Sequence, residues 1–145
     1  MTHKLCYVVI DADVEDTDIE SEVASVLETY DCNREVDEYT EDCGDCTEDD
    51  RSSCDNCHGT GKYKTTHNQD GLFDWYEIGG RWADLVGGTH AFSSTWALFA
   101  GIRAPAYLID GGLDEFDFTK ESNIRMKAWF RDNPDARLVI VDIHI

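Results

Sequence analysis

"KLCYVVID", residues 4–11, is an almost unbroken apolar run rich in β-branched side chains. A strand covered on one face alternates apolar and polar residues, whereas a strand covered on both faces stays apolar throughout. The run therefore reads as a buried central strand, with Cys6 as a small core residue inside it. "RLVIVDIHI" (137–145) has the same character. In "TDIESEVASVLETYD" (17–31), Ile19, Val23, Val26, Leu27 and Tyr30 recur with helical spacing, and Thr17 and Glu20 stand as a capping box. This predicts a helix over 18–30. "TKESNIRMKAWFRDN" (119–133) predicts a second helix, capped by Thr119 and stopped before Pro134. "APAYLIDGGLDEF" (104–116) reads as a hairpin turning at Gly111-Gly112.

The aromatic-rich "LFDWYEI" (72–78) is strand-like and ends at Gly79-Gly80. "NREVDEY" (33–39) and "GKYKTTH" (61–67) read as an outgoing and a returning strand, while "TWALFAG" (95–101) fits a short helix or a strand equally. The expected fold is α+β: one domain over 1–145, a mostly antiparallel sheet with two helices on one face in a ferredoxin-like arrangement, and a cysteine module inserted at 40–66.

Hydrophobic residues make up 41% and charged residues 30% of the 145, a globular composition. No apolar run approaches the roughly 18–20 residues of a membrane span. The N-terminal stretch lacks a signal-peptide cleavage pattern, so the expected location is the cytoplasm. The net charge is −19, with 20 Asp among 31 acids and 5 Lys among 12 bases. Such a chain repels nucleic acid and anionic membranes. Adaptation to high salt, a surface for a basic partner, and plain solubility all fit this acidity.

Four of the six cysteines fall in "CGDCTEDDRSSCDNC" (43–57), spaced Cys43-x2-Cys46-x7-Cys54-x2-Cys57. Two C-x-x-C knuckles complete a tetrahedral S4 site, which suits one structural zinc with no open position for chemistry. A disulfide pair or four free thiols are the alternatives, and a reducing compartment argues against the first. Adjacent His58 is an alternative ligand, though four sulfurs suffice. The second knuckle, "CDNCHGTG" (54–61), resembles the C-x-x-C-x-G-x-G repeat of the cysteine-rich domain of DnaJ-type chaperones, and a related knuckle pair occurs in anti-TRAP. That resemblance implies zinc, a protein-binding style of module, and a tight turn at Gly59 and Gly61. The first knuckle departs from the pattern, because "TEDD" follows Cys46.

Two further stretches carry candidate chemistry. In "FDWYEIGGRW" (73–82), Arg81 can clamp a phosphate or carboxylate while Trp75 or Trp82 stacks a ring. The plainer reading makes the tryptophans core and pairs Arg81 with an internal acid such as Asp74. In "VDIHI" (141–145), Asp142 and His144 share one face of a strand, and an Asp beside a His can orient an imidazole for proton transfer. The plainer reading leaves both near solvent at a strand end. Together these segments resemble a group of small phage and prophage proteins with a D-W-[FY]-x-I-G-G-R-W segment and a terminal V-D-x-H-I strand. The resemblance implies a viral or mobile-element origin, with the Asp-rich composition pointing to a haloarchaeal virus, and it implies no activity.

The function expected from these features is a non-enzymatic accessory protein whose zinc module and acidic surface engage a protein partner. The alternative is a small enzyme acting on a nucleotide or other phosphate-bearing substrate through Arg81, Asp142 and His144. Direct nucleic-acid binding by the module is disfavoured by the charge.

Overall fold

The computed structural model describes residues 2–44, 46–47, 51–83, 88–92 and 106–145. Two apolar runs form its centre. β1 (His3–Ile10) and β8 (Arg137–His144) pair antiparallel over their full lengths, from His3 opposite His144 to Ile10 opposite Arg137. Beyond β1 lie β6 (Ala106–Ile109) and β7 (Leu113–Phe116), and beyond β8 lie β4 (Trp75–Ile78) and β5 (His90–Phe92), one after the other along the same edge. The sheet is mixed, because β1 and β6 run parallel while the other neighbours are antiparallel.

Strand parity decides what each face touches. Leu5, Tyr7, Leu108, Leu138 and Ile140 pack with Met126 and Phe130 of helix α2 (Lys120–Asp132). Cys6, Val8, Ile10, Tyr107, Val139, Val141 and Ile143 pack with Ile19, Val23 and Leu27 of helix α1 (Ile19–Leu27). The helices therefore lie on opposite faces, not on one, which departs from the ferredoxin-like expectation. The same fact explains why β1 and β8 are apolar at successive positions: each has a helix on both sides. Burial pushes the Cys6 thiol up to about 12, as befits an inert core residue.

Local signals hold unevenly. Thr119 caps α2, its hydroxyl accepting from the Ser122 N–H at 3.2 Å. The Thr17–Glu20 capping box does not form. A 3-10 turn (Asp16–Asp18) leads into α1, whose N-cap is Asp18 without a side-chain bond. The β6–β7 hairpin turns at Gly111, whose φ of +69° is in the left-handed region. "TWALFAG" lies outside the described residues.

β2 (Glu35–Asp42) and β3 (Lys62–His67) form a separate antiparallel pair, and among the described elements these strands pair only with each other. The root of this arm is tied to the main body. Asn68 is buried there and its amide donates to the carbonyls of Thr29 (2.8 Å) and Asp31 (2.9 Å). The Cys32 N–H donates to the Phe73 carbonyl at 2.8 Å.

Two substitutions test this core. Leu138 is fully enclosed, so Leu138→Ala should cost about 2–5 kcal/mol in chemical denaturation. Thr119→Ala removes the cap and the hydroxyl's bond to Asp117 and should cost about 1 kcal/mol.

Candidate metal centre and a histidine pocket

The cysteines sit at the end of the arm away from its root. The last pair of the ladder, Asp42 opposite Lys62, leads directly into Cys43, whose N–H donates to the Gly61 carbonyl at 2.8 Å. The four cysteine sulfurs converge. The sulfurs of Cys43 and Cys54 are 3.7 Å apart, those of Cys46 and Cys57 are 3.6 Å apart, and all four lie within 4.8 Å of one another. These separations far exceed the roughly 2.05 Å of a disulfide. They match the edge of a ZnS4 tetrahedron, about 3.8 Å for Zn–S bonds of about 2.3 Å. All four cysteines are unbridged, and their geometry is that of a metal-binding site.

The backbone under the second knuckle serves the sulfurs. His58, Gly59 and Gly61 have φ of +52°, +87° and +75°, so the chain curls in the left-handed region there. Desolvation alone would raise the Cys57 thiol. The N–H of Gly61, the Cys46 thiol and the N–H of Gly59 outweigh it and bring the thiol down to about 6. Desolvation and hydrogen bonds to Cys57, Cys43 and Cys54 push Cys46 up to about 12. The downward shift at Cys57 favours the thiolate, the form that binds a metal ion. His58 is exposed and is not among the clustered ligands.

The arm has no core of its own. No residue of β2 or β3 is buried, whereas Cys57 at the tip is 3% exposed. A two-stranded hairpin on its own is marginal in water, so cross-linking at the tip is what can order it. The Tyr63 hydroxyl donates to Glu41 at 2.6 Å and lowers its pKa. Lys62 pairs with Asp42 (2.6 Å) and Lys64 with Glu38 (3.8 Å) on the exposed surface of the arm. Residues 35–67 carry ten acids against three bases.

The two aromatic and histidine-bearing segments become neighbours, because β4 pairs with β8. Trp75 lies opposite His144, and His144 lies opposite His3 of β1, placing the three rings in one row on the α2 side of the sheet. The His3 and His144 centroids are 5.1 Å apart, and each lies 5.9 Å from Trp75. With Asn33 and Asp74 they line an open pocket of about 440 Å³.

The pairing of these groups differs from the sequence expectation. Asp142 does not orient His144. Its Oδ1 meets His3 Nδ1 at 2.9 Å, and its Oδ2 accepts from the Arg81 N–H at 3.3 Å and lies 3.6 Å from Arg81 Nε. The internal acid beside Arg81 is therefore Asp142, not Asp74. His144 Nδ1 instead meets Asp74 Oδ1 at 2.6 Å, and that bond holds the Asp74 carboxyl below its usual range. Of Arg81, Asp142 and His144, only His144 lines this pocket; Asp142 meets His3, and Arg81 meets Asp142. Trp75 is half-exposed at the pocket, whereas Trp82 packs against the core. A second groove of about 460 Å³, beside Phe118, Ile124 and Met126, brings no such paired acids and imidazoles together.

Asp142 is 2% exposed, and a buried carboxylate survives only with partners. Gly80 lets the Arg81 N–H reach it. Gly80 has φ of +50°, and a Cβ there would come within 2.4 Å of the Asp142 Cβ. Compared with protein-family models, with curated proteins and with solved structures, the chain matches none. No helix among the described residues is long and apolar enough to cross a membrane.

Gly80→Ala should displace Asp142 and destabilise the protein by about 1–3 kcal/mol. It should also shift the His3 imidazole resonances in NMR while leaving those of exposed His58 in place.

Proposed function

We propose that the four cysteines hold one structural zinc ion, and that the zinc-ordered arm is an acidic recognition element for a protein partner with a basic surface. The observation that carries this reading is four sulfurs within 4.8 Å at the tip of an arm whose strands have no fully buried residue. All-sulfur tetrahedral ligation is the preference of zinc, and a closed S4 site builds structure rather than activating water. Zinc with four thiolates adds a formal charge of −2 to a segment that is already acidic. The arm is thus a rigid negative surface without a large core beneath it, suited to steering and docking a basic partner. In this reading residues 40–66 are a module that depends on its metal while the main sheet does not. The likeness of the two strand motifs to phage proteins makes a host factor the partner and regulation or inhibition the outcome.

Metal analysis of protein purified under reductant should find one zinc per chain, and none in Cys43→Ser/Cys57→Ser. A partner captured by the zinc-loaded chain should be released as salt rises. It should be lost from the double cysteine variant and from Glu35→Lys/Asp37→Lys/Glu38→Lys, yet retained by Trp75→Ala. Equal capture by all of these variants would contradict the reading.

A further inference from the structure

The row of His3, His144 and Trp75 uses no residue of the arm, and its geometry is that of a second site. Each imidazole is tied through Nδ1 to a carboxylate, His3 to Asp142 (2.9 Å) and His144 to Asp74 (2.6 Å). An ionised carboxylate only accepts, so Nδ1 carries the proton in both rings and Nε2 is the nitrogen left for a ligand. Two imidazoles so oriented, 5.1 Å apart at an open pocket, can take a proton at one point of a substrate and give one at another.

We propose that His3 and His144 form a two-imidazole proton-transfer site for a small phosphodiester bearing an aromatic ring. Trp75, 50% exposed and edge-on to both imidazoles, offers the face on which that ring stacks. Arg81 lies outside the pocket lining, anchored at Asp142 with its side chain 54% exposed, so its remaining N–H groups are available to a phosphate that extends beyond the pocket. A pocket of about 440 Å³ is of the size that holds a nucleotide-like molecule. The net charge of −19 repels a long polyanion far more than a small, singly charged diester. The reaction is hydrolysis. One imidazole accepts a proton from water as the water oxygen forms a P–O bond. The P–O bond to the leaving group breaks with its electron pair on the departing oxygen, which takes a proton from the other imidazolium. One water is consumed, a phosphomonoester and an alcohol form, and solvent resets the two rings. Asp74 and Asp142 are positioning residues that act through the imidazoles.

This site is independent of the zinc reading, and its test reads neither metal nor partner. The full chain is assayed with bis(4-nitrophenyl) phosphate and with 2′,3′-cyclic AMP as separate substrates. Turnover of at least one is expected, with His3→Gln and His144→Gln each lowering kcat about 100-fold or more. Asp74→Asn should lower kcat at unchanged KM, because an amide that donates to Nδ1 moves the ring proton to Nε2. Trp75→Ala, at an exposed position that the core does not need, should raise KM and keeps the test valid should a histidine variant fold poorly. Absence of turnover of both diesters by the wild-type chain would overturn the proposal. So would histidine variants that fold and cleave as fast as wild type, or an unchanged KM in Trp75→Ala.

Discussion

The antiparallel pairing of β1 with β8 is the interaction on which the rest of the molecule depends. It joins the two ends of the described chain across eight opposed positions, from His3 and His144 to Ile10 and Arg137. Each strand is buried on both faces, so burial of apolar surface and a full ladder of backbone hydrogen bonds reinforce one another. Alternation along these strands then assigns α1 to one face and α2 to the other. The same alternation places His3, Asp142 and His144 on the α2 side, at the end where the apolar positions stop.

That end is where the pairing turns from structure to chemistry. Asp142 continues the parity of Leu138 and Ile140 and is buried like them, but it carries a charge. The cost of burying it is met by His3, the Arg81 N–H and the Arg81 guanidinium, which the left-handed turn at Gly80 brings close. The arm follows a different logic. Its strands have no fully buried residue, and its order is concentrated in a root fixed by Asn68 and a tip gathered by four sulfurs.

Local features of this fold were legible in the sequence, and long-range ones were not. The apolar runs became β1 and β8, the Thr119 signal became a cap, and the C-x-x-C spacing became a sulfur cluster. Cover on both faces was already implied by the successive apolar positions of 4–11 and 137–145, but such a strand does not reveal which helix covers which face. Thr17 and Glu20 had the right spacing for a capping box, but a 3-10 turn moved the helix start past them. In the histidine row, spacing two apart on one strand made Asp142 the apparent partner of His144. The true partners lie 139 positions away for Asp142, at His3, and 70 away for His144, at Asp74. Only strand pairing brings them together. An early hint was available in Asp74 and Trp75, which precede the Gly-Gly turn in a segment already marked by its aromatics.

The central claim is that a metal at the tip orders the arm while the β1–β8 ladder stands without it. Hydrogen–deuterium exchange on the metal-loaded and metal-stripped chain tests this most directly. Stripping the metal should bring the amides of residues 40–66 to rapid exchange and leave those of β1 and β8 protected. Unchanged protection across 40–66, or loss of protection in β1 and β8 together with the arm, would contradict it.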